Sequence, residues 1–113
     1  MRQITEISED PTQKLDIVTE DNQTFELSLE YSDQQQGWFY SIIFGDLIIN
    51  GSRIITGLNI LRNYKNIIPF GISILTDDLS EPIFIDDFST ERVRFIILTE
   101  EEVETIETVF YNN

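Results

Sequence analysis

Histidine and cysteine are both absent from the chain. Without an imidazole there is no histidine triad, histidine general base or histidine metal ligand. Without a thiol there is no disulfide framework, thiolate nucleophile or thiolate zinc site, a composition that fits a reducing compartment. Basic residues are scarce, 7 Lys and Arg against 21 Asp and Glu. Direct nucleic-acid binding is therefore not expected, because phosphate binding needs a basic surface. The 5 glycines form no phosphate-cradling loop. Long apolar runs are missing too. Trp38–Phe44 is among the longest, and none approaches the ~20 residues that span a bilayer. Residues 1–12 are polar and hold Glu6, Glu9 and Asp10, so no secretory signal is expected there. The expectation is a soluble chain, or part of a soluble assembly, with no membrane contact.

What remains is one domain's worth of apolar residues under a large negative charge. The 113 residues are 41% hydrophobic, enough for one core and too many for a disordered chain. The net charge of −14 is uneven: residues 1–36 carry −7, residues 37–71 carry +2 and residues 72–113 carry −9. Acidity of this kind keeps a β-rich protein soluble. It also suits an acidic face that docks on basic partners.

Strand signals dominate the chain. In Thr24–Tyr31, Phe25, Leu27, Leu29 and Tyr31 alternate with Thr24, Glu26, Ser28 and Glu30, the period of a strand with one buried and one wet face. Lys14–Thr19 reads the same way, and Asp21-Asn22 between the two predicts a hairpin turn. After the polar loop Asp33–Gly37, the run Trp38–Phe44 is apolar on both faces. It is either central in a sandwich or barrel, or one of its faces meets another chain. Gly45-Asp46 predicts a second hairpin turn into Leu47–Ile49. Gly51 predicts a bulge, with the strand resuming over Arg53–Thr56. Leu58, Leu61 and Tyr64 have the spacing of a single helical turn. Ile72–Thr76 predicts a strand ending at Asp77-Asp78. Residues 79–91 form a long acidic connection, and Arg92–Leu98 predicts the last strand. Thr99 and Glu102 have the spacing of a capping box, and Val103, Ile106 and Phe110 follow at i, i+3 and i+7. The reading is a mainly β protein: a small antiparallel β-sandwich or barrel over residues 1–98, then an acidic C-terminal helix or tail over residues 99–113.

The remaining candidates for chemistry are carboxylates. Asp77, Asp78, Asp86 and Asp87 could gather round a hard cation, or be solvated turn residues. No EF-hand pattern is present, and neither cofactor, metal nor catalytic residue is assigned. Trp38-Phe39-Tyr40 is either core packing or an interface stripe. Arg62 and Lys65 could pair with acids of a neighbour or of this chain. Arg92 and Arg94 could pair with the acids of residues 77–87. The interface candidates are Trp38, Tyr40, Arg62, Lys65, Arg92, Arg94, Ile106 and Phe110.

The serial order of motifs resembles a known family. A two-strand start precedes Gly37-Trp38-Phe39-Tyr40, Gly45-Asp46 and Ile48-Ile49-Asn50-Gly51. Gly57-Leu58, Leu61-Arg62-Asn63-Tyr64, Pro69-Phe70-Gly71, Asp77-Asp78 and Arg92-Val93-Arg94-Phe95 follow. Over residues 12–98 this is similar to the small baseplate plug proteins of contractile-tailed bacteriophages. The resemblance implies a non-enzymatic virion subunit, assembled in the host cytoplasm. It would sit near the tail-tube and hub axis as a homo-oligomer beside hub, tube and spike proteins. The family tends to end soon after the last strand, so Thr99–Asn113 departs from it. Two other readings stand beside it. One is an acidic DNA-mimic inhibitor, for which the carboxylates are poorly spaced, since they cluster in turns and at the ends. The other is a host-surface or carbohydrate-binding β module using Trp38 and Tyr40.

Overall fold

The computed structural model describes residues 1–78 and 80–111; Leu79 of the acidic connection and Asn112-Asn113 of the expected tail lie outside the described residues. Among the described residues seven strands, one 3-10 turn and one α-helix follow in chain order: β1 (Arg2–Ile4), β2 (Thr12–Val18), β3 (Thr24–Ser32), β4 (Gly37–Phe44), β5 (Leu47–Arg53), the 3-10 turn Arg62–Tyr64 in the segment where a single helical turn is expected, β6 (Phe70–Thr76), β7 (Val93–Thr99) and α1 (Glu100–Phe110). Strands β2-β3-β4-β5 form an antiparallel meander, and β1-β7-β6 form a second antiparallel sheet. The two sheets face each other as an open sandwich, which settles the choice between sandwich and barrel.

The β2–β3 hairpin has the expected register, with Ile17 opposite Phe25 and Leu15 opposite Leu27. The inward residues Phe25, Leu27 and Leu29 are buried, while Thr24, Glu26, Ser28 and Glu30 face outward. Strand β4 lies inside the meander and buries Trp38, Tyr40 and Ile42 on its inner face. The bulge sits where Gly51 predicts it. The register of β4 and β5 shifts between Tyr40 and Ile42, Gly51 takes a φ of 67°, and its N–H donates to Ser41 Oγ at 2.9 Å. Strand β5 ends at Arg53 rather than running on to Thr56. The Ile54 N–H still donates to the Trp38 carbonyl (2.8 Å), but Gly57 already exchanges hydrogen bonds with Ile74 of the opposite sheet. The chain is changing layers there, so the strand cannot continue.

Two aromatic groups join the layers. Phe25 of β3 stacks on Phe70 of β6 with ring centroids 4.3 Å apart, and Phe44 meets Phe70 edge-on at 5.3 Å. Trp38 of β4 contacts Tyr31 and Phe88 edge-on at 5.4 and 5.6 Å, and Phe88 contacts Phe95 of β7 at 6.1 Å. Phe88 belongs to the acidic connection, so that segment is anchored in the core.

Strand β7 is buried on both faces because it is the middle layer. Val93, Phe95 and Ile97 belong to the inter-sheet core, whereas Ile96 and Leu98 pack with Val103 and, at the margin, Leu75 and Ile106. Helix α1 closes this outer face. Its capping box is present: Glu102 N–H donates to Thr99 Oγ1 (3.2 Å), and Thr99 N–H donates to Glu102 Oε1 (2.9 Å). Gly71 lets the helix approach the sheet, since a Cβ there would lie 2.7 Å from Val103 Cγ2.

Candidate interaction surface

The acidic connection between β6 and β7 is built around one buried carboxylate. Asp87 is 1% exposed. Its Oδ2 accepts the backbone N–H groups of Ile83 and Phe84, both at 2.8 Å. Arg92 at the foot of β7 donates from Nε to Oδ1 (2.7 Å) and from Nη2 to Oδ2 (2.9 Å). The same guanidinium reaches Asp78 Oδ1 (3.1 Å), the Glu81 carbonyl (2.9 Å) and Ser80 Oγ. Two core side chains hold the segment from below: Tyr31 Oη donates to the Ile83 carbonyl (2.6 Å) and Trp38 Nε1 to the Phe84 carbonyl (3.1 Å). Glu81 accepts the N–H and hydroxyl of Thr56 at 2.7 and 2.8 Å. Pro82 and Phe88 are buried. Between them Phe84 stays 55% and Ile85 37% exposed.

A second ionic contact fastens the helix. Glu107 accepts from Arg62 Nε (2.8 Å) and Lys65 Nζ (2.7 Å), and the Arg62 guanidinium lies 3.8 Å above the Tyr111 ring. Hydrogen bonds from Lys65 and then Arg62 hold the Glu107 carboxyl below the ordinary glutamate value.

These contacts engage nearly all of the chain's positive charge. Arg2, Lys14, Arg62, Lys65, Arg92 and Arg94 each lie within 4.0 Å of a carboxylate of the same chain. Arg53 instead donates to the Gln35 and Gln36 carbonyls (3.1 and 2.9 Å). Among the described residues, Glu30, Asp33, Asp46, Glu81, Asp86, Glu91 and the helix residues Glu100, Glu101 and Glu104 have no cationic partner. The outward charge is acidic.

The predicted interface residues separate into three groups. Trp38 and Tyr40 are buried at 0% and 4% exposure. Inward alternation on β4 points both at the opposite sheet, where they pack in the core. Arg62, Lys65, Arg92 and Arg94 pair with acids of this chain, Arg94 with Asp77 at 2.9 Å. Ile106 is half-buried against the outer face of β6–β7, whereas Phe110 is exposed. Among the described residues no three carboxylates gather into a cation site; Asp77, Asp78 and Asp87 face arginines. Sequence reading did not single out Phe84 or Glu107; it named Asp87 as a cation candidate, a turn residue or an arginine partner, and Tyr31 as an apolar residue of the strand pattern. The one available signal was Phe84-Ile85, an apolar pair with no strand period inside an acidic loop.

A family model described as "Cyanophage baseplate Pam3 plug gp18" matches residues 1–101. That span takes in both sheets and the first residues of α1. No curated protein matches the chain.

Proposed function

The chain belongs to the cyanophage baseplate plug family, a structural component of the phage tail baseplate, and from that premise we propose that it works as a plug or adaptor near the tail-tube and hub axis. It acts by protein contact. The observation that carries this reading is the distribution of charge: the cations are engaged within the chain while carboxylates cover the outside. A like-charged surface of net −14 calls for basic neighbours, which here are hub, tube or spike proteins. Copies of the chain meet round the axis where acidic charge is lowest. The β5 edge fits that requirement, since Leu47–Arg53 carries Arg53 and no carboxylate and has an unpaired side. Phe110 and the acidic face of α1 supply a further contact with a neighbour.

Purified tails provide the test. Mass spectrometry of tails and of baseplate subassemblies should find the chain at a fixed ratio to the hub protein. Tails assembled without it should have an altered axial density at the tube end. A chain that sediments as a strict monomer and binds no tail protein speaks against the reading.

A further inference from the structure

We propose that Phe84 and Ile85 form a rigid apolar anchor that inserts into a basic-rimmed apolar pocket on a different baseplate protein. The inference rests on the baseplate reading above and names the contact through which it operates.

Rigidity comes first. The backbone polar groups next to the anchor are tied to the body of the protein. The Ile83 and Phe84 N–H groups go to Asp87. The Ile83 carbonyl goes to Tyr31 and the Phe84 carbonyl to Trp38. Trp38 stands in the core and Tyr31 at its margin, on adjacent strands and directly opposite each other in register. Arg92 closes the loop from the β7 side. A segment held this way loses little conformational freedom when a partner takes it up.

Exposure comes second. The loop is fixed from within, yet its two apolar side chains face out, although a buried proline and a buried phenylalanine flank them. A large aromatic side chain on a pre-organised backbone is a typical binding hot spot.

Charge fixes the occupant. Glu81 and Asp86 flank the pair in sequence, and Glu91 follows before β7, none of them paired with a cation among the described residues. A pocket that receives Phe84 must present positive groups at its rim. A second copy of this chain is a poor source of them, because every Lys and Arg except Arg53 is already beside a carboxylate of its own chain and Arg53 is itself tied to the Gln35 and Gln36 carbonyls. The partner is therefore another protein.

The test uses the full chain in assembled tails. Phe84→p-benzoylphenylalanine, irradiated in purified tails, should cross-link to one other tail protein, at apolar residues with Lys or Arg beside them. The double variant F84S/I85S should keep the wild-type melting temperature within a few degrees and lose at least about tenfold of its incorporation into tails. Cross-links confined to copies of this chain, no cross-link from tails that contain it, or normal incorporation of F84S/I85S would each overturn the anchor and leave the baseplate reading intact. Absence of the wild-type chain from tails would overturn both.

Discussion

The carboxylate of Asp87 and the guanidinium of Arg92 meet at two points, 2.7 Å and 2.9 Å apart, and the carboxylate is almost wholly buried. Asp87 also satisfies two backbone N–H groups. Removing it leaves those donors unpaired and strips the guanidinium of its buried partner, leaving it Asp78, Ser80 and the Glu81 carbonyl. Losing one member of a buried, hydrogen-bonded pair costs about 3–5 kcal/mol. Asp87→Ala should therefore lower stability in urea by about that amount. Arg92→Ala should do comparable damage, and the double variant should cost less than the sum of the two. A loss below about 1 kcal/mol for Asp87→Ala would show that the pair does not hold the loop.

The bonds beneath that loop can be dissected separately. Tyr31→Phe removes only the hydroxyl that donates to the Ile83 carbonyl at 2.6 Å, and one such bond is worth about 1 kcal/mol. Trp38→Ala removes a fully buried indole and should cost about 3–5 kcal/mol. Trp38 is the only tryptophan, so native fluorescence should be blue-shifted and should shift red on unfolding. Native emission already at the wavelength of solvated indole would contradict the packing described.

The sequence showed local order better than it showed long-range pairing. The β2–β3 hairpin, the Gly51 bulge and the Thr99–Glu102 cap each depend on neighbours a few residues apart, and periodicity or turn chemistry reveals such things. Strand β1 left no such mark, because only Ile4 of its three residues is buried; it is a strand because β7 offers it an edge. The anchoring of Phe84 was equally invisible. Its holding groups, Tyr31 and Trp38, lie 52 and 46 residues from the carbonyls they bind. The internal pairing of Arg62 and Lys65 depended on where α1 docked, which composition alone does not state.

Gly71 places the helix. A Cβ at this position would lie 2.7 Å from Val103 Cγ2 and 2.8 Å from Asn59 Oδ1. Asn59 Oδ1 accepts the N–H groups of Leu61 and Ile72 at 3.0 and 3.1 Å, so it cannot easily give way. Gly71→Ala should cost about 1–3 kcal/mol, the usual penalty for overpacking. Adding Val103→Ala removes one of the two obstacles and should recover part of the loss in a thermal-melt cycle. If the two changes are simply additive, the helix does not press on Gly71 as described.

Acid should release the end of α1. The Glu107 carboxyl is held below its ordinary value of 4.5, first by the hydrogen bond from Lys65 and then by that from Arg62. A carboxyl with a depressed value in the folded state stabilises that state above its unfolded value. The contribution is fully present above pH 4.5 and is lost as the pH falls through the lower, folded value. Protonated Glu107 no longer holds either cation as an ion pair, and the last turn of α1 then keeps mainly the stacking of Tyr111 on Arg62, since Val109 and Phe110 are exposed. Amide exchange at Val109 and Phe110, corrected for intrinsic rates, should therefore accelerate on acidification, while Val103 stays protected over more of the range. Glu107→Gln should show the faster exchange already at neutral pH and should flatten its pH dependence. The experiment needs dilute protein, because the sequence isoelectric point of about 4.1 falls within the same window and favours self-association. Wild-type and Glu107→Gln profiles that superimpose would mean that the Arg62–Glu107–Lys65 contact does not fasten the helix.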